Sequence, residues 1–171
     1  MRGVKVRQAG AVAALGIVGV ALTGCGVQPT GVISAGEPAS GLTRGVRLYF
    51  ASDSGLRGVP RPDTEIKNLG AVVKMLAAGP QPAELRDGLT SLIQHLGGYT
   101  VTGTGIRVTV HLDGLYTESG RDQGTGQLVC TLARAQSVRD PKVRTDDVEV
   151  TLRPSDGPAL GPYRCAEFLN G

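Results

Sequence analysis

The chain has 171 residues, with 18 lysine and arginine residues against 15 aspartate and glutamate residues and a formal net charge of +3. The three excess cations, Arg2, Lys5 and Arg7, all lie in the first eight residues, so the rest of the chain is electrically balanced. The chain also has no tryptophan, two phenylalanines and four tyrosines, and these counts argue against a nucleic-acid partner.

The N-terminus has the layout of a secretory signal. A basic segment, Met1–Gln8, precedes an apolar run, Ala9–Leu22, that contains only Ala, Gly, Val, Leu and Ile. This run is shorter than the roughly 20 apolar residues that a membrane-spanning helix needs. It therefore indicates a signal peptide that is removed from the mature protein.

The apolar run ends in Leu22-Thr23-Gly24-Cys25, which resembles the lipobox of bacterial lipoproteins. The resemblance implies that Cys25 receives a diacylglycerol and that the chain is cut just before it. Residues 1–24 are then the signal peptide, and the mature protein is anchored by lipid to the extracytoplasmic face of the cell membrane. The alternative is a cleaved secretory signal in which the cysteine is coincidental.

A tether is expected to follow the anchor, over residues 25–44. This segment is rich in Gly, Pro, Ser and Thr and has no apolar period. A segment of this composition buries too little surface to offset the entropy of ordering. We therefore expect a flexible linker between the lipid and a folded domain over residues 45–154.

The domain is expected to begin with a strand and a helix. Alternation of apolar residues with Arg47 and Tyr49 is typical of a strand with one buried face. After a polar loop, Asp63-Thr64 provides a helix cap, and Gly79-Pro80 provides the stop. The apolar residues of the strand are Val46, Leu48 and Phe50, and those of the helical face are Ile66, Leu69, Val72, Val73 and Leu76.

A hairpin is predicted after a long connection, residues 80–98. Two runs with a period of two flank Gly103-Thr104-Gly105, as in a β-hairpin. Arg107, Thr109 and His111 are expected to face away from the core. The inward positions are Tyr99, Val101, Ile106, Val108, Val110 and Leu112.

The last two predicted elements are a helix and a strand. Their apolar positions are Leu128, Val129, Leu132 and Ala135 in the helix and Val148, Val150 and Leu152 in the strand. Pro154 ends this strand, and residues 155–171 form a C-terminal tail. The order β-α-β-β-α-β favours an α+β fold, a two-layer sandwich with two helices on one face of a small sheet.

Several segments resemble the GerMN domain of sporulation and germination proteins, which also occurs in actinobacterial lipoproteins. The resemblance implies an α+β domain similar to the ring-building folds of sporulation secretion complexes, which serve assembly rather than catalysis. The segments, in order, are VRLYFASDSGLRGVPRP, LAAGP, GLTSLI, IRVTVHLDG and GQLVCTLARAQSV, and they run from Val46 to Val138.

The residue pattern gives little support for catalysis. The segments around Ser52 and Ser91 lack the glycines of a nucleophile elbow. The two histidines, His95 and His111, have no carboxylate and nucleophile at a matching spacing, and His111 is expected to be solvated. The carboxylates Asp113, Asp146 and Asp147 are more typical of turns and caps. We therefore expect no enzyme activity and no cofactor, with a cell-wall-modifying hydrolase as the alternative.

Two cysteines remain once Cys25 is lipidated. Cys130 and Cys165 form an even pair in an oxidising compartment, which predicts a disulfide that holds the tail against the domain. A zinc site that adds His95 and His111 is the alternative, but the spacings do not match a zinc-binding motif.

The sequence as a whole therefore predicts a lipid-anchored binding or assembly module of the cell envelope. Its partner is expected to be another envelope protein or peptidoglycan. The contact is expected at an exposed sheet edge or at the loop that bears Arg57 and Arg61, which otherwise is a solvated turn.

Overall fold

The computed structural model describes residues 45–62, 64–113 and 120–169. The predicted signal peptide, Cys25 and the tether lie outside these residues. The described strands are β1 (Val46–Ser52), β2 (Gly55–Arg61), β3 (Tyr99–Thr104), β4 (Arg107–Leu112), β5 (Glu149–Pro154) and β6 (Leu160–Tyr163). The described α-helices are α1 (Leu69–Ala77), α2 (Pro82–Arg86), α3 (Gln123–Arg139) and α4 (Ala166–Leu169), and a 3-10 turn covers Thr145–Asp147.

The strands form two open sheets. β1 and β2 pair as an antiparallel hairpin, and the other strands form a sheet in the order β3-β4-β5-β6. β4 and β5 are parallel and are joined through α3, whereas the other neighbours in this sheet are antiparallel. The predicted α+β sandwich is confirmed. Within the described residues, no helix combines the length and apolar character needed to cross a membrane.

The four-stranded sheet buries one face, as the alternating pattern predicts. Val108, Val110 and Leu112 on β4 are buried together with Val150 and Leu152 on β5. The prediction for Ile106 is wrong, because this residue lies in the turn and is 41% exposed. The turn falls on Gly105-Ile106, one step later than predicted, since Thr104 pairs with Arg107.

The second sheet contains a strand where the sequence predicts a polar loop. β2 pairs with β1 along its whole length, from Val46 opposite Arg61 to Ser52 opposite Gly55. Gly58 lies under Tyr49, and an added Cβ would be 3.0 Å from that ring and 2.7 Å from the side chain of Arg47. Gly58 therefore allows the side chains of β1 to pack closely over β2. Apolar alternation, the usual sequence signal of a strand, does not reveal such a residue.

α1 begins later than its sequence signal predicts. The helix starts after Asn68, whose side-chain oxygen accepts a hydrogen bond from the backbone N–H of Ala71 at 2.8 Å. Asparagine in an extended conformation is a strong N-cap. Ile66 therefore precedes the helix, although it still packs against the core.

α3 lies between the two sheets and is buried around most of its circumference. Its predicted apolar face, which includes Leu128 and Leu132, is fully buried, but Gln127, Thr131 and Gln136 are buried as well. Each of these polar side chains bonds to a segment outside the helix. The N–H of Tyr49 on β1 donates to Thr131 Oγ1 at 2.9 Å, and Gln136 Nε2 donates to the carbonyl of Gly105 at 2.9 Å.

Candidate functional site

The four-stranded sheet has a polar face that no described helix covers. Both long helices pack on the opposite face, against β1, β3, β4 and β5. We call this surface the outer face, and it consists of Thr100, Thr102, Thr104, Arg107, Thr109, His111, Glu149, Thr151 and Arg153.

The outer face is built as three rows that run across the strands. The middle row is Thr102, Thr109 and Thr151, because these residues are register partners on β3, β4 and β5. Alternation fixes this arrangement, since successive side chains of a strand point to opposite faces. The flanking rows are Thr100, His111 and Arg153 on one side and Thr104, Arg107 and Glu149 on the other.

Positive charge dominates the outer face. Glu149 is its only acidic residue, and it accepts a hydrogen bond from the Arg164 guanidinium at 2.8 Å. This hydrogen bond raises the pKa of Arg164. Arg107 and Arg153 form no ion pair with any described residue. The outer face therefore offers threonine hydroxyls together with two arginines whose charge is not neutralised within the described domain.

The sequence anticipated part of this surface. Arg107, Thr109 and His111 were expected to face away from the core, and the structure confirms that none of the three is buried. The threonines of β3 and β5 were not recognised as part of the same surface. Their period-two spacing is visible in the sequence, but only the strand register shows that they align.

The predicted binding loop is a strand, and one of its two arginines is already engaged. Arg61 Nη1 and Nη2 donate to the two carboxylate oxygens of Glu84 at 2.6 and 2.7 Å. Both side chains are only 14% exposed, and the guanidinium also lies 6.0 Å from the Phe50 ring centroid. Arg61 thus joins β2 to α2, and the prediction of a loop at Arg57 and Arg61 is wrong. Arg57 remains exposed on β2.

The residues weighed for catalysis have separate structural positions. Ser91 is buried, and its hydroxyl donates to the carbonyl of Leu76 at 2.9 Å, near the end of α1. His95 and His111 are both exposed, as are Asp113 and the Asp146-Asp147 pair. Among the described residues, no group of three or more His, Cys, Asp or Glu side chains is placed to hold a metal ion.

The two C-terminal cysteines lie at disulfide-bonding distance. The Sγ atoms of Cys130 and Cys165 are 2.01 Å apart, and the residues are 35 positions apart in sequence. The adjoining segment packs onto the domain through Phe168, whose ring meets that of Tyr163 edge to face at 5.6 Å. Leu169, the last residue of α4, is 47% exposed.

Strands β3 and β4, the first half of β5 and helices α1 to α3 lie in the part of the chain that a family model matches. A family model described as Germane, sporulation and spore germination, matches residues 47–151, which is more than half of the chain. The chain belongs to the Germane family. The predicted resemblance to a GerMN-type domain is thereby confirmed. No curated protein and no solved structure matched the chain.

The Germane match extends from β1 into β5. It includes most of the outer face, namely all of its residues on β3 and β4 together with Glu149 and Thr151 on β5. The domain is therefore related to sporulation and germination proteins. β6, α4 and Cys165 lie beyond the matched residues and extend the Germane domain at its C-terminal end.

Proposed function

We propose that this Germane protein is a lipoprotein of the cell envelope that acts by binding another envelope component, without catalysis. Cys25 would carry the lipid and hold the domain at the extracytoplasmic face of the membrane. The lipobox-like sequence Leu22-Thr23-Gly24-Cys25 supports the anchor. The outer face of the four-stranded sheet supports the binding role.

The outer face is the observation that carries this proposal. An antiparallel or mixed sheet commonly has one face on the core and one in water, so exposure alone is ordinary. The charge pattern is more specific, because Arg107 and Arg153 lie on opposite sides of the threonine row and only Glu149 is acidic. This pattern fits a partner that presents acidic groups to a hydroxyl-rich surface.

We propose an envelope protein as the partner that supplies these acidic groups. None of the outer-face residues is aromatic. Aromatic residues are enriched at the centres of protein interfaces, so the partner would have to supply them against the threonine row. The arginines on the two sides of this row would then meet carboxylates of the partner.

Site-specific photo-crosslinking in intact cells tests the binding surface. A photoreactive residue would replace Thr102 or Thr109 on the outer face, and in the control it would replace the exposed Lys74 on α1. We expect a discrete adduct from the outer-face positions and none from Lys74. Mass spectrometry of the adduct would identify the partner as protein or peptidoglycan. Adducts from Lys74 alone would contradict the assignment of the outer face.

A second experiment separates binding from hydrolysis. The purified protein would be incubated with peptidoglycan, and released fragments would be measured by chromatography. We expect no release. Release that His111→Ala abolishes would contradict the binding proposal and support the hydrolase.

The anchor is tested by Cys25→Ser. Because the thiol is the site of acylation in a lipoprotein, the variant should no longer incorporate labelled fatty acid and should leave the membrane fraction. Thr23→Ser keeps the cysteine and serves as the control. Membrane retention of Cys25→Ser at the wild-type level would contradict the proposed anchor.

A further inference from the structure

The described sheets have exposed edges of different character. The outer edge of β2 carries Pro60 and the exposed Arg57, and β6 is a four-residue strand with Pro162 and an irregular register against β5. Proline, charge and irregularity are features that block the addition of another strand. The edge at β3 has none of them, because its sequence YTVTGT contains no charged residue and no proline.

Hydrogen-bonding groups on β3 point away from the sheet at alternate residues. The N–H of Asp113 donates to the carbonyl of Gly98 at 2.8 Å, which makes these residues a hydrogen-bonded pair. Bonded pairs alternate along an antiparallel ladder, so Thr100 and Thr102 bond to β4. The backbone groups of Tyr99, Val101 and Gly103 therefore face the open edge.

We propose that this open edge pairs with the same edge of a second copy of the protein, about a two-fold axis through Val101. β3 of each copy would run antiparallel to β3 of the other and join the two four-stranded sheets into one. The inference deepens the proposed function by naming an assembly contact of the anchored module, and it rests on that function. It uses the edge of the sheet and leaves the outer face open.

The sequence of β3 is complementary to itself in this register. The residues whose backbone groups face the open edge lie opposite one another in the two copies. Val101 faces the partner's Val101, and Tyr99 faces the partner's Gly103. Each facing pair can exchange two hydrogen bonds. An aromatic residue beside an edge glycine compensates for the missing side chain. On the outer face, Thr100 lies beside the partner's Thr102, a favourable pairing of hydroxyl side chains.

The absence of charge on β3 matters most for a symmetric contact. In a two-fold interface each residue near the axis meets its own copy, so a charged residue near Val101 would lie close to a like charge. β3 has none. Arg107 lies opposite Thr104 and Asp113 lies opposite Gly98, so both charges are one strand away from the open edge.

A contact through one short strand is expected to be weak in dilute solution. Stable protein interfaces bury on the order of 1,200–2,000 Å², and one six-residue edge supplies only part of that. Anchoring to a membrane raises the effective concentration of the two copies and compensates for a small interface. The dimer is therefore expected chiefly at the membrane, where the lipid anchor would hold the chains.

Disulfide trapping in isolated membranes tests both the contact and its register. Thr100→Cys and Thr102→Cys would be expressed in one cell on full-length copies that carry different tags. In the proposed register these positions form a non-bonded pair with Cα atoms about 4.5 Å apart, a separation that a disulfide spans. We expect oxidation to give a mixed-tag dimer, and reduction to remove it.

Two controls make the trapping result specific. Thr151→Cys replaces Thr102→Cys in the first control, since Thr151 lies on the same face but on the inner strand β5. In the second, Val101→Pro is added to the trapping pair, because it removes a backbone N–H that faces the partner at the open edge, a position where proline is tolerated. We expect at least a fivefold loss of the mixed-tag dimer, while a melting temperature within a few degrees of the wild-type value shows that the domain stays folded.

The outcomes separate this inference from the proposed function. Absence of the mixed-tag dimer, or equal yields from Thr102→Cys and Thr151→Cys, would overturn the pairing of β3 edges. The proposed function would fail separately, through membrane retention of Cys25→Ser or through peptidoglycan hydrolysis. A mixed-tag dimer that Val101→Pro reduces at least fivefold without loss of folding supports the inference.

Discussion

At the scale of single residues, the contact between Arg61 and Glu84 is the most enclosed of the ion pairs found among the described residues. Two short hydrogen bonds join the groups, and each side chain is 14% exposed. The hydrogen bond from Arg61 lowers the pKa of Glu84 below its ordinary value of 4.5. Charge-assisted, bidentate contacts of this type are stronger than ordinary hydrogen bonds.

We expect Glu84→Gln to lower the free energy of unfolding at neutral pH by about 2 kcal/mol, because Arg61 then lacks its counter-charge in an enclosed position. A carboxyl group whose pKa is lowered by folding stabilises the fold above its unfolded pKa. That contribution disappears as the pH falls through the folded pKa. The difference between wild type and variant should therefore shrink below pH 4.5.

Urea titrations at about pH 7 and about pH 3 measure this difference. Asp87→Asn changes a nearby exposed carboxyl and should have little effect at either pH. A Glu84→Gln difference that stays constant with pH would contradict the role assigned to the ion pair.

The buried amide of Gln127 joins α3 to the segment before β3. Its Oε1 accepts from the N–H of Leu92, and its Nε2 donates to the carbonyl of Thr90, both at 2.8 Å. Gln127→Leu leaves both backbone groups without this partner. We expect a loss of about 3 kcal/mol in the free energy of unfolding, measured by chemical denaturation.

Gln94→Leu provides the control for Gln127→Leu, because Gln94 is exposed and the side-chain change is identical. The control should alter the free energy of unfolding by less than about 0.5 kcal/mol. Equal effects of the two substitutions would show that the buried hydrogen bonds do not stabilise the domain.

At the scale of whole elements, the strands with one apolar face were the easiest to predict. β4 and β5 alternate strictly, and their apolar residues are buried. β2 was missed because Gly58 and Pro60 lack that pattern, and its stability comes from pairing with β1. The start of α1 was misplaced because both Asp63-Thr64 and Asn68 carry suitable capping side chains, and sequence alone does not decide between them.

The C-terminal segment adds a strand and a helix to the predicted fold. The predicted domain ends at Pro154, yet β6 continues the sheet and α4 follows it. Gly126 on α3 permits this packing, since an added Cβ would lie 2.9 Å from the Phe168 ring and 2.8 Å from Leu56. Such a contact joins residues far apart in sequence and leaves no local signal.

A disulfide between Cys130 and Cys165 should hold this segment in place. Closing a loop with a sequence separation of 35 residues stabilises a fold by roughly 3–4 kcal/mol in the chain-entropy model. We expect Cys130→Ser with Cys165→Ser to lower the melting temperature and to expose Phe168 to limited proteolysis. Mass spectrometry of the non-reduced wild-type protein that finds both thiols free would contradict the prediction.

Cys25→Ser is the control for the double cysteine variant, because it removes a thiol outside the described domain. It should leave the melting temperature unchanged. A decrease equal to that of the double variant would assign the effect to something other than the cross-link.

At the scale of the whole molecule, the α+β class and the Germane family were predictable from the sequence, and the two-sheet arrangement was not. Helix α3 shows why the two-sheet arrangement was not predictable. Its buried surface includes Gln127, Thr131 and Gln136, polar residues that a pattern of apolar positions leaves out of the core. Their burial depends on backbone partners in distant segments, so only the tertiary structure identifies them. The same limit applies to the outer face, whose rows depend on strand register.

The position of α3 predicts how protection against amide hydrogen exchange is distributed. Because this helix contacts β1 and the four-stranded sheet, its amides should exchange only when the whole domain opens. We expect the slowest exchange at Leu128 and Leu132, with an opening free energy equal to the global value from denaturation. Faster exchange in α3 than in β4 would contradict this prediction.

Because α3 packs between two sheets, we expect the domain to unfold as one unit under force. Both sheets pack against α3, so we expect the hairpin of β1 and β2 to melt together with the distant β5. The tether is expected to enter the domain next to β1. A pull transmitted from the membrane would therefore meet the cooperative resistance of the entire domain and not the weak pairing of a single hairpin.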